Sequence, residues 1–187
     1  MKRLFFSINP SEDIRNSVFN ILKEKEELFP SGCVKWVKKE NIHITLLFLG
    51  LLREENMEKI SLAATEALEG VDTFTVNFHR VCYHPPKKVP HLIWMEGESC
   101  PELSSLREDL KSSLQETGLK FIPENSFLPH ITLGRIKAWE FKRMEREEIP
   151  EVEEEVSLSF PVESISLMES VLKKSSPDYN ILKSFSL

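Results

Sequence analysis

The sequence predicts an α+β fold built from a duplicated unit with two pseudo-symmetric lobes. The tetrapeptide His-Ile-Thr-Leu occurs at residues 43–46 and again at residues 130–133. The strand-like and helix-like segments around the first copy recur in the same order 86 to 89 residues later, which indicates an internal repeat. Strands and helices do not alternate strictly along the chain, and this argues against a doubly wound parallel sheet.

The first half of the chain shows two strand–helix pairs and a further strand. Pro10, Ser11 and Glu12 offer a helix cap, an early proline and an acidic first turn. Gly50 closes the strand that carries the first tetrapeptide, and Gly70 follows the second helix. The predicted order is strand 4–8, a helix from residue 11 to about 28, strand 41–50, helix 54–68 and strand 74–78.

The second half repeats this order and ends with one additional strand. Leucines at residues 103, 106, 110 and 114 form a helical stripe that stops near Gly118. The proline-rich run 84–90 is predicted to be a stiff connection between the lobes. We therefore expect a single domain, 1–187, with lobes built mainly from about 1–83 and 92–170. The predicted elements are strand 92–95, helix 103–118, strand 129–136, a short helix at 138–148, strand 161–167 and a returning C-terminal strand at 180–187.

Composition places the chain among ordinary globular proteins. Its 187 residues suffice for one domain with a sizeable core. Three scattered cysteines form no metal or disulfide pattern, so we expect a reducing, cytoplasmic location. No segment reaches the length of a membrane span, and we expect no membrane association. The six glycines show no phosphate-loop spacing, so neither ATP nor a dinucleotide is indicated.

The net charge of −6 argues against a protein that coats nucleic acid with its whole surface. Seven glutamates between residues 145 and 155 are predicted to form a solvated helix end or loop. A local basic rim could still hold a phosphodiester end. Its candidate residues are Lys35, Lys38, Lys39, Lys87, Lys88, Arg135 and Lys137.

The two tetrapeptides carry the predicted chemistry. In a regular strand, His43 and Thr45 share one face while Ile42, Ile44, Leu46 and Phe48 share the core face. His130 and Thr132 are placed together in the same way. Two such pairs facing a cleft would supply two proton-transfer groups and two hydroxyl donors, a set that suits a phosphate ester. The spacing does not say which histidine is the acid.

Other polar and aromatic residues leave alternatives open. Arg135 falls on the face opposite His130 in a regular strand, so it is either a surface arginine or a phosphate ligand brought round by a bulge at Gly134. His79, His84 and His91 match no zinc spacing, and solvent or core positions are expected for them. For Trp36 and Trp94 we weigh base stacking against core packing, and we favour the core for Trp94. The better candidates for stacking are Phe127 and Tyr179.

With these motifs in place, the chain resembles the bacterial and archaeal RNA 2′,3′-cyclic phosphodiesterases, first described as 2′-5′ RNA ligases, of the 2H phosphoesterase superfamily. The resemblance runs nearly end to end. The matching segments are 3–5, 36–37, 41–50, 90–94, 127–137, 167–170 and 177–182. Two departures are His91, where the family usually has arginine, and Gly134, where alanine is common. We expect the first departure to alter substrate affinity or preference, and we expect the second to have little effect.

The resemblance implies a bilobal fold in which antiparallel sheets line a central cleft and helices lie outside. It implies hydrolysis of an RNA terminal 2′,3′-cyclic phosphate to a 2′-phosphate, without metal or nucleotide cofactor, by a monomer. His43 would be the proton donor and His130 the acceptor, while Thr45, Thr132 and Arg135 would bind the substrate. The reverse reaction would join a 5′-hydroxyl in a 2′-5′ linkage.

Two other functions remain open at this point. One is a binding module of the same fold that holds a nucleotide or RNA end without turnover. The other is a related 2H enzyme that acts on 2′-5′ oligoadenylates or on a small cyclic nucleotide. The motifs are the same in each case, so substrate profiling is needed to separate them.

Overall fold

The computed structural model describes residues 1–86, 89–121, 127–173 and 177–187. These ranges contain strands and α-helices in a mixed antiparallel arrangement, which confirms the predicted α+β class. The strands are β1 (Lys2–Ile8), β2 (Val34–Trp36), β3 (Ile44–Leu52), β4 (Phe74–His84), β5 (Leu92–Gly97), β6 (His130–Ile136), β7 (Glu154–Val162), β8 (Ser164–Val171) and β9 (Asp178–Ser186). The helices are α1 (Glu12–Glu27), α2 (Met57–Ala67), α3 (Pro101–Glu116) and α4 (Ala138–Phe141).

Helices α1, α2 and α3 lie within about three residues of their predicted positions, and the predicted helix 138–148 is much shorter. Ser11 caps α1 by accepting a hydrogen bond from the Ile14 N–H at 3.5 Å. The predicted helix 54–68 is a short 3₁₀ turn, Glu54–Asn56, that continues into α2. The segment 138–148 contains only α4 and a 3₁₀ turn, and the acidic run ends inside β7, where Glu154 pairs with Lys25 of α1.

Eight strands follow one another in the order β7-β4-β5-β6-β3-β1-β8-β9, and β2 pairs with β6. The pairing between β3 and β6 in the middle of this sheet is limited to a single register pair, Ile44 with Ile131. Two groups of strands result. The first group is β7-β4-β5-β6 with β2, beside which α1 lies, and the second is β3-β1-β8-β9, against which α2 and α3 pack.

The strand groups correct the predicted lobes of about 1–83 and 92–170. β4 comes from the first half of the chain but pairs with β5 and β7, and β8 comes from the second half but pairs with β1. The cause is the connection after His84, which is short enough to make β4 and β5 adjacent antiparallel strands, with His84 opposite Leu92. This run therefore joins two strands of one group. The predicted rim residues Lys87 and Lys88 lie outside the described residues.

The first tetrapeptide is followed by a register slip that changes which side chains face the core. Ser7 pairs with Thr45 and Phe6 pairs with Leu47, so Leu46 has no partner in β1, as in a β-bulge. As a result Leu47 is buried and Phe48 is 50% exposed. The expectation that Phe48 faces the core was wrong, because it assumed an unbroken alternation.

The second tetrapeptide is followed by the same slip. Trp94 pairs with Thr132 and Ile93 pairs with Gly134, which leaves Leu133 unpaired in β5. The skipped residue is the leucine of the tetrapeptide in both copies. The additional residue brings Arg135 onto the face that carries His130 and Thr132, as Phe48 is brought onto the face of Thr45.

Gly134 is required by packing at this slip. A Cβ atom at residue 134 would lie 2.6 Å from Val34 Cγ1 and 3.0 Å from Trp36 Cε3. We expect Gly134→Ala to lower the free energy of unfolding by about 1–3 kcal/mol, because β-branched Val34 has little freedom to move. This expectation replaces the small effect inferred from the sequence. Urea denaturation of the purified variant measures it.

The matched control for this prediction is the double variant Val34→Ala with Gly134→Ala. Removal of the valine methyl groups makes room for the new Cβ, so the two changes should be less than additive in a double-mutant cycle. If Gly134→Ala alone were as stable as the parent protein, the prediction would be wrong, and β2 would be able to move without loss of stability.

Candidate active site

A cleft with a volume of about 920 Å³ lies between the two strand groups. It is lined by all five residues predicted for the site: His43, Thr45, His130, Thr132 and Arg135. The first two come from the β3 side and the other three come from β6. The cleft thus brings the two motifs together at one place, although 87 residues separate the histidines along the chain.

His43 is held by its own strand and the turn before it. Its Nδ1 lies 2.7 Å from the carbonyl oxygen of Asn41. Since a carbonyl only accepts, Nδ1 carries the proton and the neutral ring leaves Nε2 as an acceptor. Nε2 lies 3.0 Å from Thr45 Oγ1, so the Thr45 hydroxyl donates to the neutral ring. Asn41 in turn donates from Nδ2 to the carbonyl of Pro177, 3.0 Å away, just before β9.

His130 repeats the bond made by Nδ1. Its Nδ1 donates to the carbonyl of Leu128 at 2.9 Å, again two residues upstream. Both imidazoles are therefore held through Nδ1, which leaves Nε2 as the nitrogen that exchanges a proton with a ligand. Two histidines in one tautomer at one cleft form a pair of groups for acid–base work.

The environment of His43 disfavours its charged form. Burial lowers the pKa of His43 to about 4, although the hydrogen bond to Asn41 acts in the opposite direction, and the positive charges of His130 and Arg135 lower it further. His43 is consequently neutral at pH 7 in the free protein. An anion in the cleft would raise its pKa.

Cationic side chains surround the motifs. Of the predicted basic rim, Lys35, Lys38 and Arg135 line the cleft, whereas Lys39 is paired with Glu12. Arg3 of β1 also lines the cleft, and the spacing analysis had not selected it. These charges give the cleft the sign that a phosphate ester requires.

Aromatic rings cover both histidines. Phe5 and Tyr179 lie 5.3 and 5.1 Å from the His43 ring, measured between centroids. Trp94 is buried, as favoured from the sequence, and its ring stacks on His130. The cleft wall also contains Trp36, Phe127, His84 and His91. His79 is placed differently, with its Nε2 3.6 Å from Glu96 Oε1.

Comparison with known proteins assigns the chain to a family. The sequence model of the 2′-5′ RNA ligase superfamily matches residues 10–173. The chain belongs to this superfamily.

Relatives in the superfamily match over nearly the whole chain. The RNA 2′,3′-cyclic phosphodiesterase of Thermotoga maritima is 30% identical over 96% of this chain and 92% of its own length. That of Archaeoglobus fulgidus is 33% identical over 98% and 99%. The crystal structure of TT0787 from Thermus thermophilus superposes with a TM-score of 0.81 at 26% identity, covering 99% of this chain and 97% of that one. The family resemblance seen in the sequence is thereby confirmed.

Two further findings concern the described ranges only. No three His, Cys, Asp or Glu side chains in them are grouped as metal ligands. No helix in them combines the length and apolar character needed to cross a membrane.

Arg107 is a residue of the cleft that the sequence analysis missed. It lies on α3, is 5% exposed, and donates from Nε to the carbonyl of Leu46 at 3.1 Å. Leu46 is the residue skipped in the β1–β3 register. The guanidinium carbon also lies 4.9 Å from the ring centroid of Phe127, three residues before His130. Arg107 therefore contacts both motif segments, and its position in the leucine stripe of α3 was the available signal.

Replacement of Arg107 should weaken the fold at the first motif. Arg107→Met removes the Nε donor and leaves the buried Leu46 carbonyl without that bond, which costs about 1–3 kcal/mol of unfolding free energy. Lys111→Met, one helical turn away, is the control and should change stability by less than about 0.5 kcal/mol. Urea denaturation of both variants tests this. Equal stability of the two would contradict the bridging role of Arg107.

The titration of His43 gives a second prediction. The imidazole resonances of His43, assigned with His43→Gln, should shift with a midpoint near pH 4 in the free protein. Saturation with adenosine 2′-monophosphate should move the midpoint upward, because the phosphate stabilises the imidazolium. NMR titration measures both values. A midpoint near pH 6.5 without ligand would contradict the burial of this ring.

Proposed function

We propose that the chain hydrolyses the 2′,3′-cyclic phosphate at an RNA end to a 2′-phosphate, with His43 and His130 as the acid–base pair. The observation that carries this proposal is the repeated tether of Nδ1 to a carbonyl two residues upstream in both histidines, at one cleft. The names of the relatives from Thermotoga maritima and Archaeoglobus fulgidus support the same substrate.

The reaction needs one proton removed and one supplied. One Nε2 accepts a proton from water as the water oxygen attacks phosphorus. The bond from phosphorus to the 3′-oxygen breaks, and the other Nε2 gives that oxygen its proton. Each step of this kind contributes about 10²–10⁴ in rate. Neither step requires a metal ion or a nucleotide.

We assign the donor role to His43 and the acceptor role to His130, as the family resemblance implies. His43 is neutral in the free protein, so as a donor it must first be protonated, and the charge of the bound phosphodiester favours this. Protonation also ends the bond in which the Thr45 hydroxyl donates to Nε2. Once Nε2 carries a proton it no longer accepts from Thr45, so Nε2–H is the proton for the 3′-oxygen and the Thr45 hydroxyl proton becomes available for a phosphate oxygen.

Thr132 and Arg135 complete the proposed phosphate site from the other side of the cleft. Arg135 lies on this face only because of the slip at Leu133. A guanidinium can donate two parallel hydrogen bonds to two oxygens of one phosphate, whereas a lysine ammonium acts as a single point charge. The same groups would stabilise the transition state of the reverse reaction, in which an RNA 5′-hydroxyl replaces water.

The decisive assay uses an end-labelled short RNA with a 2′,3′-cyclic phosphate, incubated with the protein in EDTA. The parent should form a 2′-phosphate, and His43→Ala and His130→Ala should each lose about 10²-fold or more in kcat. His79→Ala is the control, because it removes an imidazole outside the cleft wall. Phosphatase treatment and gel mobility identify the product.

The alternatives give different results in this assay. Binding of the labelled RNA by the parent without turnover would contradict the proposal and favour a binding module. Turnover of a 2′-5′ linked oligonucleotide alone would favour the related 2H activity. A 3′-thio cyclic substrate separates the two histidines, since a thiolate leaves without a proton. It should rescue His43→Ala more than His130→Ala.

A further inference from the structure

The two motifs differ at one position of their neighbouring strands. The residue paired with the motif threonine is Ser7 in β1 and Trp94 in β5. Because the slips follow the same residue in both copies, these positions correspond in the duplicated unit. Ser7 has no ring to stack on His43, and the His43 ring instead contacts Phe5, with the two ring planes at 41°. Trp94 instead lies flat on His130, with centroids 3.8 Å apart and planes 14° from parallel.

Trp94 is itself held on its other face. The His84 ring stacks on it with centroids 3.5 Å apart and planes at 10°. The indole is 8% exposed, and it cannot turn without displacing one of the two imidazoles. With Nδ1 held by Leu128 and one face held by Trp94, the orientation of the His130 ring is fixed.

The face of an indole carries negative charge and attracts a cation above it, more strongly than the face of phenylalanine. An imidazolium at His130 is therefore stabilised by a stacked indole face, whereas the rings beside His43 are a tilted Phe5 and an edge-on Tyr179. Other charges also act on His130. Glu96 is its register partner and is paired with Arg80 at 2.6 Å, and His84 lies on the far face of the indole. The titratable or charged groups of the cleft also include His43 and Arg135.

We propose that Trp94 is a positioning residue that orients His130 and favours its protonated form. The two lobes would then hold their histidines with different proton affinities, although the motif residues are identical. The proposal rests on the proposed function, in which His130 exchanges a proton. If His130 is the acceptor, the imidazolium forms on the indole face as water is deprotonated.

The test follows the His130 imidazole by NMR titration in Trp94→Phe and Trp94→Leu. Trp94→Leu should lower the midpoint by about half a pH unit, and Trp94→Phe by less. The pH dependence of kcat/KM should shift in the same direction, with KM changed less than kcat. The control Trp139→Phe replaces an indole that is 58% exposed and outside the cleft, and it should change neither value. An unchanged midpoint in Trp94→Leu would overturn the proposal.

Fluorinated tryptophan provides a second measurement that does not depend on the variants folding. Incorporation of 5-fluoro- and then 5,7-difluorotryptophan withdraws charge from the indole face with little change in volume. The His130 midpoint should fall in two steps, and a constant midpoint would overturn the electrostatic role. The titration requires no turnover. A protein that shows the shift but does not cleave cyclic phosphate would refute the proposed function alone.

Discussion

Ile44 and Ile131 form the only register pair between β3 and β6 in the described part of the chain. Each lies between the histidine and the threonine of its tetrapeptide, and both are fully buried. In a strand, the two side chains next to a residue point to the face opposite to its own. A single backbone pair between two isoleucines therefore places two histidines and two threonines on one surface. The remaining strands of each group extend away from this junction.

The register slips after the two threonines give the cleft its chemical asymmetry. Each slip turns the fifth residue after the histidine toward the cleft. That residue is Phe48 in one motif and Arg135 in the other. The strand next to each motif adds a second difference, Ser7 against Trp94. The backbone of the repeat is thus shared, while this position presents an aromatic ring to the cleft in one motif and a cation in the other.

Burial and charge act together on the first histidine. Desolvation destabilises the imidazolium form of His43 and so lowers its pKa. The positive charge of Arg135, which would bind phosphate, lowers this pKa further. His43 is therefore neutral in the free cleft, and the negative charge of a bound ligand would favour its protonation. Arg107 joins the two motif segments from behind, through the carbonyl of Leu46 and the ring of Phe127.

The sequence determined most of the helices and strands, the repeat and the identity of the motif residues, because these depend on local periodicity and on spacing along the chain. It did not predict β2, and the predicted strand 161–167 is divided between β7 and β8. Helix α1 and its Ser11 cap, both motif strands and the final strand follow from it. The grouping of strands, the exposure of Phe48 and the contacts of Arg107 were decided only by the tertiary structure. Each depends on how one strand is registered against a neighbour that is distant in the sequence. A single unpaired residue reverses the direction of the side chains that follow it, up to the next irregularity of the strand. Arg135 shows this dependence, since the sequence left both faces open for it and the slip at Leu133 brings it to the cleft.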